Sequence, residues 1–241
     1  MASHVPDFFY KEALRLRYVA RSAFKLVEIQ EKHRILKPGA AILDLGCAPG
    51  AWLQVACQNL GTRDQGGVVV GVDTKKINVP GDHTDHRVKA IAADVMKIKP
   101  ETLAAMTPEK AYNVILSDMC PSVSGIGFKD ATLSAELGSR ALELALGFHP
   151  DDERDSTKKV NGLLVPSGSL VIKLLEGEES QGKRICCSIF RPLSHVVLVH
   201  VGFPDYCNKY FRSVSWLRPK ASRSTSREIY LIAKGRNRCQ T

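Results

Sequence analysis

The stretch from residue 41 to residue 60 constrains the fold more than any other part of the chain. Residues 41–45 are almost continuously apolar, which is typical of a strand buried on both faces of a parallel sheet. Gly46 and Gly50 bracket the turn that follows and let a ligand lie against bare backbone, and residues 51–60 have the apolar spacing of a helix. The stretch therefore predicts a strand, a tight turn and a helix that together hold a nucleotide-like ligand.

This turn differs from the glycine-rich turn that binds dinucleotides. The dinucleotide turn has three glycines in the order G-x-G-x-x-G, whereas here Pro49 lies between Gly46 and Gly50. Because proline has no backbone N–H to offer a phosphate, a ligand without phosphates, such as S-adenosylmethionine, fits better. The same pattern also occurs in purely structural strand-to-helix connections, so the turn alone does not decide the ligand.

Three further strand patterns bring acidic residues to the ends of strands. Asp73 ends the pattern at 67–73, Asp94 ends the one at 88–94, and Asp118 follows the apolar residues of a third. Parallel strands joined through helices have their carboxyl ends at one edge of the sheet, where Asp73 can bind a ribose and Asp94 can approach an adenine amino group. Asp73 alone is equally consistent with a helix cap or a turn.

Two lysines lie in apolar surroundings. Lys173 is in the middle of the predicted strand 169–175, and burial of its ammonium is costly unless it is paired or its pKa falls. Lys25 lies between Phe24 and Leu26, so its amine can be drawn toward the interior or a cleft. The alternative for both is a lysine whose charged end reaches solvent.

We expect residues 1–241 to form a single domain, since 241 residues with 44% hydrophobic content can bury a sizeable core. A basic helical segment, 1–37, precedes the α/β core at 38–241. Residues 149–161 are predicted to form a polar surface loop, and 191–211 is an unusual insertion to which the sequence assigns no purpose. The remaining predicted elements are helices at 131–146 and 180–190, a strand at 195–203, and an antiparallel hairpin of strands 213–219 and 228–233 at the sheet edge.

Charge and cysteine usage limit the partners. Lysine and arginine number 34 against 25 acidic residues, and the net charge of +9 suits a polyanionic partner. The seven cysteines lack zinc-site spacing, so we expect reduced thiols and no metal. The chain has no apolar run long enough to cross a bilayer and no signal-peptide core. An intracellular protein without a membrane partner is expected, in the cytoplasm, the mitochondrion or another organelle.

Five motifs together resemble the FtsJ-type ribose 2′-O-methyltransferases. They occur in the family's order over residues 10–234. In this chain they read RSAFKL at 21–26, LDLGCAPGAW at 43–52, LSDM at 116–119, VIK at 171–173 and SREIY at 226–230. The resemblance implies an α/β, Rossmann-like methyltransferase fold that binds S-adenosylmethionine, with a mostly parallel seven-stranded sheet and an antiparallel edge hairpin.

The resemblance also implies the site residues. The catalytic tetrad would be Lys25, Asp118, Lys173 and Glu228. The cofactor contacts would be Gly46, Pro49, Gly50, Trp52, Asp73, Asp94 and Asp118. From their charge, the residues expected to contact RNA phosphates are Lys11, Arg15, Arg17, Arg21, Lys220, Arg223 and Arg227.

The likeness is greatest to enzymes that methylate a uridine ribose in large-subunit ribosomal RNA, and we expect a monomer. Transfer-RNA and messenger-RNA-cap methylation are alternatives, as is a non-catalytic RNA-binding factor for ribosome assembly on the same fold. A nicotinamide-dependent oxidoreductase is disfavoured by Pro49 and the missing third glycine.

Two hypotheses describe the proton chemistry at Lys173. Burial and the positive charge of Lys25 would lower the pKa of Lys173 and make a neutral amine available as a general base. Asp118 and Glu228 would act in the opposite direction, keeping the amine protonated so that it steers the ribose hydroxyl by hydrogen bonding. The sequence does not choose between them.

Overall fold

A seven-stranded sheet is the centre of the fold. The computed structural model describes residues 8–148, 162–177, 188–189, 198–199 and 202–237. The strands in chain order are β1 (Ala41–Leu45), β2 (Val68–Asp73), β3 (Val88–Ala92), β4 (Tyr112–Ser117), β5 (Leu164–Leu175), β6 (Ser188–Ile189), β7 (Leu198–Val199), β8 (Phe211–Leu217) and β9 (Glu228–Arg236). All except β6 and β7, which pair only with each other, belong to the main sheet.

The strand order in the main sheet is β3-β2-β1-β4-β5-β9-β8. The first five strands run parallel, and β9 is antiparallel to both β5 and β8. The prediction of a mostly parallel seven-stranded sheet with an antiparallel hairpin at one edge is confirmed. Within that hairpin it is β9 that joins the parallel strands, so β8 forms the edge.

Within the described residues, six α-helices accompany the sheet. They are α1 (Phe8–Arg15), α2 (Ala23–His33), α3 (Ala51–Gln58), α4 (Pro100–Ala104), α5 (Gly127–Leu146) and α6 (Gly202–Tyr210). The basic N-terminal segment is thus two helices, and the chain between them contains Arg17 at a positive φ of 59°. Helix α5 begins four residues earlier than residue 131, where the apolar pattern placed its start.

The helices cover the two faces of the sheet. Apolar residues of α2 and α3 pack on one face, and those of α5 and α6 pack on the other. Helix α5 approaches the sheet closely at Gly138, where a Cβ atom would lie 2.9 Å from a methyl carbon of Leu174. Strand β1 is buried on both faces, as its continuous apolar sequence predicts. Among the described residues, no helix has the length and hydropathy required to cross a membrane.

Part of the sequence-based prediction is wrong between 180 and 211. Ser188–Ile189, assigned to a helix at 180–190, forms a strand with Leu198–Val199. The predicted strand 195–203 overlaps this pair, but Gly202 and Phe203 begin α6. Pro204, in the first turn of α6, is compatible with a helix because the first N–H groups of a helix have no internal partner. The rest of 180–201 and the whole loop at 149–161 lie outside the described residues.

Helix α6 contributes to the hydrophobic core, which gives the end of the 191–211 segment a structural role. Phe203 and Cys207, one helical turn apart, are buried in the same apolar cluster as Leu174 and Leu231. Their burial fixes α6 on the face of the sheet that α5 also covers. The segment therefore ends in an element that the fold uses.

We expect Phe203→Ala to lower the free energy of unfolding by about 3–5 kcal/mol, because it removes a fully buried aromatic ring and leaves a cavity. Urea denaturation of the purified protein measures the change. Asn208→Ala, on the exposed side of α6, is the matched control and should change stability little. Equal stability of the two variants would show that α6 does not pack on the sheet.

Candidate active site

A cleft of about 480 Å³ lies at the carboxyl edge of the parallel strands. Asp73 at the end of β2, Asp94 after β3 and Asp118 after β4 all line it, together with Gly46 and Ala48 of the turn after β1. The three acidic residues thus converge because parallel strands present their carboxyl ends at one edge. The lining of the cleft thus contains three acidic side chains, each from the end of a different strand.

The turn after β1 is held tightly against neighbouring backbone. Gly46 has a φ of 80°, and a Cβ atom there would lie 2.9 Å from the backbone of Met119. Gly50, at a φ of 107°, precedes α3 and lies against Pro80. Of the turn, only Gly46 and Ala48 line the cleft; Pro49 is exposed. The glycines therefore give the ligand-facing turn a shape that a side chain would prevent.

The cleft carboxylates are positioned by backbone amides. Asp73 accepts hydrogen bonds from the N–H groups of Ala48 (3.0 Å) and Lys75 (2.9 Å), and Asp94 accepts one from Met96 (2.9 Å). These are the turn contacts that the sequence left as an alternative to ligand binding. Each carboxylate can accept about four hydrogen bonds, so both residues retain capacity for a ligand. A turn role and a ligand role are compatible here.

Strand pairing assembles the second part of the site. In the antiparallel register of β5 and β9, Lys173 is directly opposite Tyr230, and Glu228 is two residues before Tyr230. Side chains two positions apart on a strand share a face, as do directly opposed ones, so all three lie on one face of the sheet. Helix α2 packs on that same face and brings Lys25 to Glu228.

Two ion pairs result. The Lys25 ammonium lies 2.7 and 2.8 Å from the two carboxylate oxygens of Glu228. The Lys173 ammonium lies 3.1 Å from Oδ1 of Asp118 and donates a 2.6 Å hydrogen bond to the Asp118 carbonyl oxygen. The Tyr230 hydroxyl donates to the same Oδ1 at 2.7 Å. The four residues predicted as a tetrad therefore lie together, and Asp118 belongs to both this cluster and the cleft.

The family follows from comparison with known proteins. The model of the FtsJ-like methyltransferase family matches residues 18–236. The chain belongs to this family. A relative from Syntrophobacter fumaroxidans, named ribosomal RNA large subunit methyltransferase E, is 35% identical over 237 residues, which are 96% of each chain. A relative of the same name from Desulfosudis oleivorans is 34% identical over 227 residues, 94% of this chain and 89% of that one.

A solved structure supports the fold. The Plasmodium falciparum protein, assigned as a ribosomal RNA methyltransferase, superimposes with a TM-score of 0.65 at 22% identity, over 91% of this chain and 98% of that one. At this identity the likeness concerns architecture alone.

The charge state of Lys173 corrects the general-base hypothesis. Burial of the amine acts to lower the pKa of Lys173, but the negative charge of Asp118 and the hydrogen bond to it outweigh burial and raise the pKa above its ordinary value. Only 6% of Lys173 is exposed, so water screens this pairing little. The amine is protonated at neutral pH.

Tyr230 is a site residue that the sequence analysis did not assign. It is fully buried, and burial raises the pKa of its hydroxyl well above the ordinary value, so the hydroxyl remains a donor to Asp118. The available signal in the sequence was that Tyr230 lies two residues after Glu228, since side chains two positions apart on a strand share a face. The partner of its hydroxyl, 112 residues away in sequence, was not apparent without the fold.

Trp52, which was predicted to contact the cofactor, packs against Tyr230 of this cluster. Its indole N–H donates to the Ser22 carbonyl oxygen at 2.9 Å, and its ring centre is 5.8 Å from that of Tyr230. It is buried and does not line the cleft. Trp52 thus fixes the start of α2, and with it Lys25, beside β9.

The basic residues predicted to bind RNA lie in two segments that the fold brings together. The Arg21 guanidinium donates to the Ala221 carbonyl oxygen, and the backbone N–H of Lys220 donates to Glu28 of α2 at 2.7 Å. The loop before β9 is therefore tied to α2 next to the pair of Lys25 and Glu228. This places positive charge at the entrance to the tetrad.

The surroundings of these basic residues differ. Lys11 and Arg223 are exposed, Arg15 pairs with Glu12, and Arg17 lies 3.5 Å from Asp82. Arg227 is half-buried and donates to the buried carboxylate of Asp130 at 2.7 Å. Arg227 thus has a structural partner in the protein, which the sequence did not indicate. RNA contact by all seven residues stays a prediction.

We expect Tyr230→Phe to lower the free energy of unfolding by about 1.5–3 kcal/mol, since it removes one hydrogen bond to a charged carboxylate and keeps the ring. Urea denaturation tests this. Tyr10→Phe, at an exposed hydroxyl, is the matched control and should leave stability unchanged. Native-like stability of Tyr230→Phe would show that the bond to Asp118 contributes nothing to the fold.

Proposed function

We propose that this protein is an S-adenosylmethionine-dependent RNA ribose 2′-O-methyltransferase that acts on a uridine of large-subunit ribosomal RNA. One observation carries the proposal: Asp118 joins the acidic cleft to the cluster of Lys25, Lys173 and Glu228. A ligand in the cleft is thus placed beside buried charged groups. Membership of the FtsJ-like family and the names of the relatives support the same reaction and substrate.

The residues of the cleft fit S-adenosylmethionine. Ribose hydroxyls, an adenine amino group, an ammonium and a cationic sulfur are donors or positive charges, which suit Asp73, Asp94 and Asp118. The phosphates of a dinucleotide would be repelled by the same three carboxylates. This electrostatic argument supports the choice that Pro49 suggested, and it disfavours the nicotinamide-dependent alternative.

A buried carboxyl beside the cleft adds to this fit. Both oxygens of Asp44, on β1, are buried without a hydrogen-bond partner among the described residues. Burial raises the pKa of Asp44 well above its ordinary value, and the charges of Asp118 and Asp73 add to the effect, so the neutral form is favoured. A neutral carboxyl can both donate and accept, and this unused capacity lies next to the acidic edge.

The tetrad can align and polarise the ribose hydroxyl. When bound, S-adenosylmethionine supplies a methyl group already activated on a cationic sulfur. The protonated Lys173 amine donates a hydrogen bond to the 2′-oxygen and lowers the pKa of the hydroxyl. Asp118 holds the Lys173 amine in position, and the ion pair of Lys25 and Glu228 bounds the other side of the site. Asp118 or water would accept the hydroxyl proton, late in the transfer of the methyl group that the cofactor would supply.

Lys173→Met should reduce methyl transfer by at least ~10²-fold, since it removes the ammonium that would donate to the 2′-oxygen, while Lys173→Arg should keep a measurable rate because it keeps a cationic donor. The protonated form of Lys173 stabilises the fold below its unfolded-state pKa, and this contribution is lost only as the pH rises through the raised folded-state value. Because Lys173 keeps its proton between pH 7 and 9, the wild-type rate of methyl transfer should not rise with pH through loss of that proton.

Radioactive methyl transfer to ribosomal RNA measures these rates, with cofactor binding and thermal unfolding as checks on each variant. Lys89→Met, at an exposed position of β3, is the matched control. An arginine variant as inactive as the methionine variant, together with a wild-type alkaline limb, would restore the general-base hypothesis.

A target RNA with one 2′-deoxynucleotide at the modified position should accept no methyl group, because the nucleophile is missing, whereas a deoxynucleotide at a neighbouring position should change the rate little. Mass mapping of the product identifies the position. Parallel assays with transfer RNA and capped messenger RNA test the alternative substrates. Methylation of the deoxy-substituted target would place the methyl group on the base and exclude ribose chemistry.

A further inference from the structure

A second cleft, of about 910 Å³, lies at the opposite ends of the strands from the tetrad, where the parallel strands begin. It is formed by the end of α2, the residues that precede β1, the start of β4, the turn within β5, and the adjoining ends of β8 and β9. No part of the proposed reaction uses it. It is larger than the acidic cleft.

The lining of this cleft has one sign of charge. The basic residues that line it are Lys32, His33, Arg34, Lys37, Arg212 and Lys234. Asp and Glu are absent from the described residues that line it. We call this set the distal basic cleft.

Local structure accounts for only part of this charge. Lys32 pairs with Glu28 at 2.7 Å, and basic residues in the last turn of a helix are stabilised by the helix dipole, which explains Lys32 and His33. Arg34, Lys37, Arg212 and Lys234 have no ion pair within the described parts of the chain. Four cations from three separate parts of the chain thus converge without a counter-charge from the described residues.

The state of His33 agrees with a positive local potential. Burial lowers the pKa of His33, and the charges of Lys234 and Lys32 lower it further. His33 is therefore neutral at pH 7, and the cleft remains basic through its lysines and arginines. A polyanion is the chemistry that such a surface attracts.

Strand β9 relates the distal basic cleft to the tetrad. Glu228, Tyr230, Ile232 and Lys234 alternate onto one face of the sheet, so Lys234 is on the same face as the tetrad. The separation of six residues corresponds to about 20 Å at ~3.3 Å per residue. Helix α2 spans the same interval, from Lys25 to the cleft residues at its end. The two sites therefore lie at the two ends of one face.

We propose that the distal basic cleft binds the phosphate backbone of an RNA segment different from the one that presents the target ribose. The inference rests on the proposed function in taking RNA as the polyanion. A short RNA held at the tetrad need not extend 20 Å, whereas folded ribosomal RNA presents phosphates from neighbouring segments. The cleft thereby favours a large, structured substrate over a short fragment.

The test compares two double variants with the same change in net charge. Lys37→Glu with Arg212→Glu reverses two exposed cleft cations, and Lys89→Glu with Lys99→Glu reverses two exposed lysines elsewhere. Binding of a structured ribosomal RNA domain and of a short oligonucleotide around the target is measured from 50 to 200 mM salt. Thermal unfolding confirms that each variant is folded.

For the structured RNA, the cleft variant should bind at least ~10-fold more weakly, and its slope of log affinity against log salt should be smaller by about 1.4–1.8, as for two lost phosphate contacts. Its binding and methylation of the oligonucleotide should remain close to those of the control variant. Lys37→Gln with Arg212→Gln should show a smaller loss in the same direction.

Equal affinity of the cleft and control variants for the structured RNA, with equal salt slopes, would overturn the inference. Unchanged RNA binding combined with weaker binding of an acidic ribosomal protein would also overturn it, by assigning the cleft to a protein partner. Absence of methyl transfer by the wild-type protein, with the difference in salt slope intact, would reject the proposed function and leave the phosphate site standing.

Discussion

The pairing of β9 with β5 is the constraint on which the site depends. Lys173 has its counter-charge in Asp118, but without β9 the cluster would lack Tyr230, the second donor to Asp118, and Glu228, the partner of Lys25. The antiparallel register fixes which side chains share the face that α2 covers. A shift of one residue would turn Glu228 and Tyr230 to the face covered by α5 and leave Lys25 without its partner. The site therefore forms when the sheet forms, because the same strand pairing creates both.

Burial determines what the paired charges can do. An ammonium with 6% exposure is tolerable only if a negative group is permanently beside it, and Asp118 meets this need with its carboxylate and its backbone carbonyl. The same proximity keeps the amine protonated, so the contacts that make the fold possible also make Lys173 a donor and not a base. Tyr230 adds a second donor to Asp118 and limits the movement of the carboxylate. The site is preorganised for hydrogen bonding to an oxygen, which is what a weak alcohol nucleophile requires.

The sequence predicts those features that depend on short-range pattern or on general rules of topology. Buried parallel strands have continuous apolar runs, and their shared carboxyl edge follows from connection through helices, so Asp73, Asp94 and Asp118 were expected to converge. Lys173 was conspicuous because an ammonium is rare in such a strand. The Tyr230 hydroxyl and the pair of Arg227 and Asp130 were not foreseen, because each depends on a partner about 100 residues away. At 188–203, short apolar runs do not distinguish strand from helix, and the assignment of α6 depends on what Phe203 packs against.

The face of the sheet that α2 covers has opposite charges at its two ends. This arrangement suggests how one small protein binds ligands of opposite sign. Three carboxylates and Lys75 line the cleft at the carboxyl ends of the parallel strands, and cations without an ion pair among the described residues line the distal basic cleft at the opposite ends. Because exposed charges are screened beyond about 10 Å at 0.1 M salt, fields separated by about 20 Å act almost independently. The acidic cleft can therefore attract a cationic ligand even though the protein as a whole carries +9. In the proposed function, RNA phosphates are repelled from that cleft and attracted to the basic surfaces, and the ribose that would reach Lys173 is the part of the RNA that carries no charge.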